Sequence, residues 1–254
     1  MTDIYIRPER PLKTPERALA YPYDIPDRSF VIQGGRVFPV TCDADLGDLA
    51  GRIPVLAVGS NQSIRALSWK FADPAAGAVP CTRIHLKDFD SVYSAHIAGY
   101  GSIPATLHTS PGTTVTLFVN WLTHTQLACM HSTEVGAGNY VYGELSNIDA
   151  ESEVGPKISR LGLYLGTRGA LTINGAPVPL AGTRAISRPY RAMTQHEVMA
   201  HLQKRFACDG PIEGFVQDLI DDKEWRLKRS VELRADADPF HHLGFVAIGS
   251  AAPD

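Results

Sequence analysis

Ala105 to Tyr140, ATLHTSPGTTVTLFVNWLTHTQLACMHSTEVGAGNY, runs from strand into helix, and its reading decides the fold class. Val115, Leu117, Val119 and Trp121 alternate with Thr116, Phe118 and Asn120. A spacing close to two residues gives an extended segment over 113–122 one apolar face, and Phe118 leaves the other face mixed. A second strand is expected at 105–109. Ser110-Pro111-Gly112 reads as the turn between them, proline fixing φ and glycine supplying freedom. The period then changes. Thr123 is placed to cap a helix, Gln126 three residues later completes a capping box, Leu127 and Met130 mark the packed side, and Gly136 and Gly138 end it. Glu134 falls in the last turn of that helix, and Tyr140 opens the next strand.

Upstream, Pro54-Val55-Leu56-Ala57-Val58-Gly59-Ser60-Asn61 reads as an apolar strand entering a Gly-Ser-Asn turn. A helix follows over 63–71, with Ile64, Leu67, Trp69 and Phe71 as an imperfect apolar stripe. A strand, turn and helix in that order leave backbone N–H groups facing outward at the helix start. Residues 82–97 are expected to be extended, 29–33 and 36–40 to pair about Gly34-Gly35, and 140–145 and 160–165 to be strands. Asn174-Gly175 between 171–173 and 176–178 is a strong hairpin signal. Toward the end, Thr194 with Glu197 caps a helix reaching Phe206, and 213–233 reads as one long charged amphipathic helix around a buried Trp225 and Leu227. Pro8, Pro11, Pro15, Pro22 and Pro26 disfavour helix and make the first 50 residues read as an extended arm carrying the hairpin.

With 254 residues, of which 44% are hydrophobic, the chain can bury a substantial core. A net charge of −3 and a pI near 6.3 give no electrostatic reason for a nucleic acid or an anionic membrane as partner. No apolar run approaches the roughly 20 residues of a membrane span, and the first residues lack the apolar centre of a signal peptide. A soluble cytoplasmic protein is expected. Cys42, Cys81, Cys129 and Cys208 form no C-x-x-C pair and read as reduced thiols. His241-His242 has no partner ligands at recognisable spacing, so neither a metal nor a cofactor is implied. Ser102 does not sit in a nucleophile-elbow pattern, and 34–35 and 166–169 match no phosphate loop.

Glu134 and the 58–61 turn carry the chemistry. A carboxylate at a helix C-terminus faces the negative end of the dipole, and burial adds to the cost of its charge, so it suits both taking and giving a proton near neutral pH. The amides of Val58, Gly59, Ser60 and Asn61 are placed to hold a substrate carboxylate or a developing oxyanion. Tyr140 offers a pocket hydroxyl or a packed strand tyrosine. Arg65 could reach an anion or lie in solvent, and His131, three residues before Glu134, could pair with it or stand exposed.

The ordered set Val58-Gly59-Ser60-Asn61, Ile103-Pro104-Ala105-Thr106-Leu107, Ser110-Pro111-Gly112, Val115 to Trp121, Leu127 to Glu134 and Gly138-Asn139-Tyr140 resembles the gamma-glutamylcyclotransferase family over about residues 54–145. The resemblance implies an α+β fold, a small antiparallel β-barrel with flanking helices. It implies an acid–base role for Glu134 and substrate-holding amides at Gly59, Ser60 and Asn61. It divides the chain into an arm and hairpin at 1–50, a catalytic domain at 51–190 and a helical extension packed on it at 191–254. The substrate would be a small acidic amide, opened by its own amine to a cyclic lactam. The family's loop tyrosine is Val58 here, which points to a substrate other than the usual gamma-glutamyl group. A hydrolase or cyclase acting on another amide, lactam or lactone stays open, as does a non-catalytic binding protein. The flanking regions could reshape the pocket or build a homodimer.

Overall fold

The computed structural model describes residues 4–5, 12–135 and 138–248. Pro8, Pro11 and Gly136 lie outside the described residues. In chain order the strands are β1 (Ile4–Tyr5), β2 (Phe30–Gln33), β3 (Arg36–Pro39), β4 (Ile53–Ala57), β5 (Val79–Tyr93), β6 (Ala105–Leu122), β7 (Tyr140–Ser146), β8 (Ala150–Ser152), β9 (Arg160–Gly166), β10 (Thr172–Ile173), β11 (Ala176–Pro177), β12 (Ala185–Ile186) and β13 (Phe245–Ala247). The helices are α1 (Pro15–Leu19), α2 (Ile64–Lys70), α3 (His124–Glu134), α4 (Gln195–Arg205), α5 (Ile212–Asp221) and α6 (Lys223–Ala235). The fold is α+β.

One large sheet runs β1-β3-β2-β5-β6-β4-β9-β7-β13, with β12 added to β6 and β8 to β5, while β10 and β11 form a hairpin of their own. The β4–β9 ladder is parallel and the others described are antiparallel. The path is open: no ladder among the described residues joins its two ends, so the sheet does not close into the small barrel that the resemblance implies. Two hydrogen bonds nevertheless cross from its far strands to the start of β6, from Gly166 N–H to Thr106 Oγ1 at 3.0 Å and from the Tyr140 hydroxyl to the Ala105 carbonyl at 3.0 Å.

The alternation in β6 makes two cores. Val115, Leu117, Val119 and Trp121 pack into the larger one. Phe118 and Leu122 face a second, with Phe30, Leu67, Phe71, Leu127 and Met130, which explains why that face is not polar. Ser110-Pro111-Gly112 does not separate two strands. Pairing of β5 with β6 steps from Lys87↔Thr114 to Phe89↔Thr109, so residues 110–113 bulge out opposite Asp88. Asp88 Oδ1 accepts the Gly112 N–H at 2.7 Å, and Asp88 and Gly112 take φ of 64° and 82°. Proline suits the bulge because it gives up no ladder donor there.

The N-terminal arm is not wholly extended: Thr14 caps α1, with Pro15 in its first turn, and α1 packs against α4 and α5. The hairpin β2–β3 joins the sheet through β2 and β5. One apolar cluster runs from Ala18 to Leu233. The long C-terminal helix divides at Asp222, which leaves helical conformation at φ −94°, ψ 94° and caps α6 by accepting the Trp225 N–H at 2.8 Å. This break turns the expected face around. Leu227 is 53% exposed and Trp225 half-buried, while Arg226 is buried and donates to the carbonyls of Leu219 and Ile220 at the end of α5. Among the described residues no helix is long and apolar enough to cross a membrane.

Candidate active site

Helix α3 is held firmly at its start. Thr123 Oγ1 accepts the Gln126 N–H at 3.2 Å while Gln126 Oε1 accepts the Thr123 N–H at 2.9 Å. The Gln126 amide also donates to the carbonyls of Ala76 and Ala78, at 2.7 and 3.1 Å, and its oxygen accepts from Arg52 at 3.2 Å. Leu127 and Met130 then pin the helix in the second core, and Glu134 is delivered in its last turn with a side chain only 17% exposed.

The opposite wall is the turn after β4. Its first internal hydrogen bond runs from Gln62 N–H to the Gly59 carbonyl at 3.1 Å, so the amides before it are not used by the turn itself. The Val58 carbonyl accepts from Gln62 Nε2 at 3.0 Å and from Ser91 Oγ at 2.8 Å, which fixes the entry to the turn. Asn61 is held by Asn120, whose Nδ2 donates to its carbonyl at 3.1 Å, and in turn donates from Nδ2 to Glu134 Oε1 at 3.2 Å. The turn and the glutamate are therefore joined directly.

Lys70, at the end of α2, also donates to Glu134 Oε1 and forms an ion pair with it; its side chain is 8% exposed. His131 does not pair with Glu134. Its Nδ1 bonds the Tyr164 hydroxyl at 2.8 Å and its ring meets Tyr142 edge-on. Burial lowers its pKa. Arg65 is exposed at the pocket rim, and His242 packs on Phe89 with Nδ1 accepting the Gly244 N–H at 3.1 Å.

A cavity of about 460 Å³ opens between the segment after α1, helix α2, residues 96–104 and the end of α3, and a recess of about 40 Å³ adjoins it beneath the 58–61 turn. Tyr21, Ser60, Glu134 and Tyr140 line both. Val58, Gly59 and Asn61 line the recess. All six residues singled out by the sequence thus meet in one place. Burial, followed by the charge of Glu134, pushes the Tyr140 phenol well above the ordinary value, and burial does the same to Tyr21. His96, which lines the large cavity, is pushed down to about 4 by burial and the nearby Arg168, so it is neutral at pH 7.

Lys70, Tyr21, Arg17, His96 and Tyr100 are pocket residues that sequence reasoning did not reach. Lys70 follows Trp69 as an ordinary last-turn lysine, and only the packing of α2 against α3 makes it a partner. The other four lie outside the local strand–turn–helix signals, and no spacing relates them to Glu134. No protein-family model, curated protein or solved structure matches this chain.

Proposed function

We propose that the chain is a gamma-glutamylcyclotransferase-like enzyme acting on a small acidic amide, without a cofactor, and that Glu134 is its acid–base group. The observation that carries this is the hydrogen bond from Asn61 to Glu134 at 3.2 Å, which sets the turn and the carboxylate on either side of one recess. In the reaction the free amine of the substrate attacks its own amide carbonyl. Glu134 takes the proton that the amine loses as the C–N bond forms. It returns that proton to the leaving nitrogen as the old C–N bond breaks, giving a lactam and an amine. Amides at Gly59, Ser60 and Asn61 hold the substrate carboxylate or the oxyanion. Lys70 fixes the orientation of the carboxylate through Oε1. The bonds from Tyr140 and Gly166 to the start of β6 support a sheet curled in the sense of the family's barrel, with no ladder among the described residues closing it.

The test is release of 5-oxoproline from gamma-glutamyl dipeptides. Glu134→Gln is expected to lower kcat by about a hundredfold or more, and a folded variant of full activity would overturn the assignment. A hydrolase or cyclase of a different amide, lactam or lactone is the second reading. It is favoured by Val58, an apolar side chain in the recess wall where the family carries a phenol. Robust 5-oxoproline release would exclude it. The burial of Glu134 beside a cavity supports either enzyme over a binding protein.

A further inference from the structure

Two phenols meet at the Ala105 peptide, and they use it differently. Tyr140 gives its hydrogen to the Ala105 carbonyl at 3.0 Å. Tyr21 accepts the Ala105 N–H at 2.8 Å, and its own hydrogen has no acceptor among the described residues. Tyr21 is 5% exposed, yet it lines both the recess and the large cavity. A buried hydroxyl that accepts a bond but has nowhere to donate is short of a partner, and the open side of this one is the pocket. Its position is tightly set. A Cβ at residue 59 would stand 2.1 Å from the Tyr21 hydroxyl, so the phenol occupies the space that glycine leaves free. Burial raises the phenol's pKa, which keeps it protonated and able to donate at neutral pH. The surroundings are positive: Arg17, Arg65 and Lys70 line the large cavity, where Glu134, already paired with Lys70, is the lining carboxylate among the described residues.

We infer that Tyr21 is a substrate-binding residue, its phenol donating a hydrogen bond to a carboxylate or carbonyl oxygen of a small acidic ligand seated in the recess between Gly59, Ala105 and Glu134. The inference deepens the acidic-amide reading of the same site and rests on it. It brings into the pocket a segment outside the stretch that resembles the family, and it places a phenol beside the turn in which Val58 offers none.

Binding is measured by titration calorimetry with 5-oxo-L-proline and with glutarate at pH 7, on the wild-type chain and on Tyr21→Phe. Loss of a hydrogen bond to a charged group weakens binding by roughly tenfold or more, and that is the result expected for Tyr21→Phe. Equal affinities, or a wild-type chain that binds neither ligand, overturn the inference. Because phenylalanine also leaves the Ala105 N–H without its acceptor, a second measurement uses 3-fluorotyrosine at position 21, which retains both hydrogen bonds. Its fluorine resonance should move on addition of 5-oxo-L-proline, and a resonance that stays in place at saturation overturns the inference. The reaction is scored separately. Tyr21-dependent binding without 5-oxoproline release from gamma-glutamyl dipeptides would sink the cyclotransferase reading for gamma-glutamyl amides and leave this one standing.

Discussion

At Gly59, one missing methyl leaves the space that the Tyr21 hydroxyl fills. The glycine's φ of −123° lies outside the left-handed region. Space disfavours any side chain there, since a Cβ would meet the Tyr21 hydroxyl at 2.1 Å and the Ala105 Cβ at 2.9 Å. Gly59→Ala is expected to destabilise the fold by about 2 kcal/mol, the usual scale of overpacking, and to drive Tyr21 from its place. Urea melts of the variant measure the first effect, and an unchanged midpoint would mean that the phenol moves aside without cost. The side chains expected to carry the chemistry were legible because each lies where a local pattern breaks: Glu134 at the end of a capped helix, Gly59 to Asn61 between strand and helix. Lys70 and Tyr21 were not, because their roles depend on neighbours at positions 134 and 105 that no local period connects.

Among the elements, α3 matters most, because it both fills the second core and positions the carboxylate. Removing its cap with Thr123→Ala should cost about 1 kcal/mol, and hydrogen exchange should show the first turn of α3 losing protection before the rest of the helix and the sheet. The start and end of this helix were readable from Thr123, Gln126 and Glu134. Two other features were hidden for a physical reason each. The 110–113 segment contains a turn sequence, but it bulges instead because Asp88 across the ladder captures the Gly112 N–H. The 213–233 pattern is amphipathic throughout, and its break at Asp222 appears only when Arg226 folds back on the carbonyls that end α5. Local propensity reports a segment's preference; a partner across the ladder or on the neighbouring helix can redirect it.

For the whole molecule, His96 makes stability depend on pH. Its folded pKa is lowered to about 4 by burial and by Arg168, whereas an unfolded histidine titrates at about 6.5. Between those values the unfolded chain binds the extra proton, so stability rises with pH across this window and falls on acidification. The contribution is present in full above the unfolded value, and about 3 kcal/mol of it is lost by pH 4. Urea melts at pH 7 and pH 4 should show that difference in the wild-type chain and a smaller one in His96→Asn; equal slopes in the two proteins would remove His96 as the cause.

The packing of α1 against α5 joins residues 15–19 to residues 212–221, and the segment directly after α1 carries Tyr21 into the pocket. On the ribosome these two partners emerge far apart in time, the wall of the pocket first and its brace well after it. A nascent chain can therefore form its β2–β3 hairpin long before it has a finished binding chamber. Closing so long a loop is slow, so ligand binding should appear only after residues 212–221 have emerged and docked on α1.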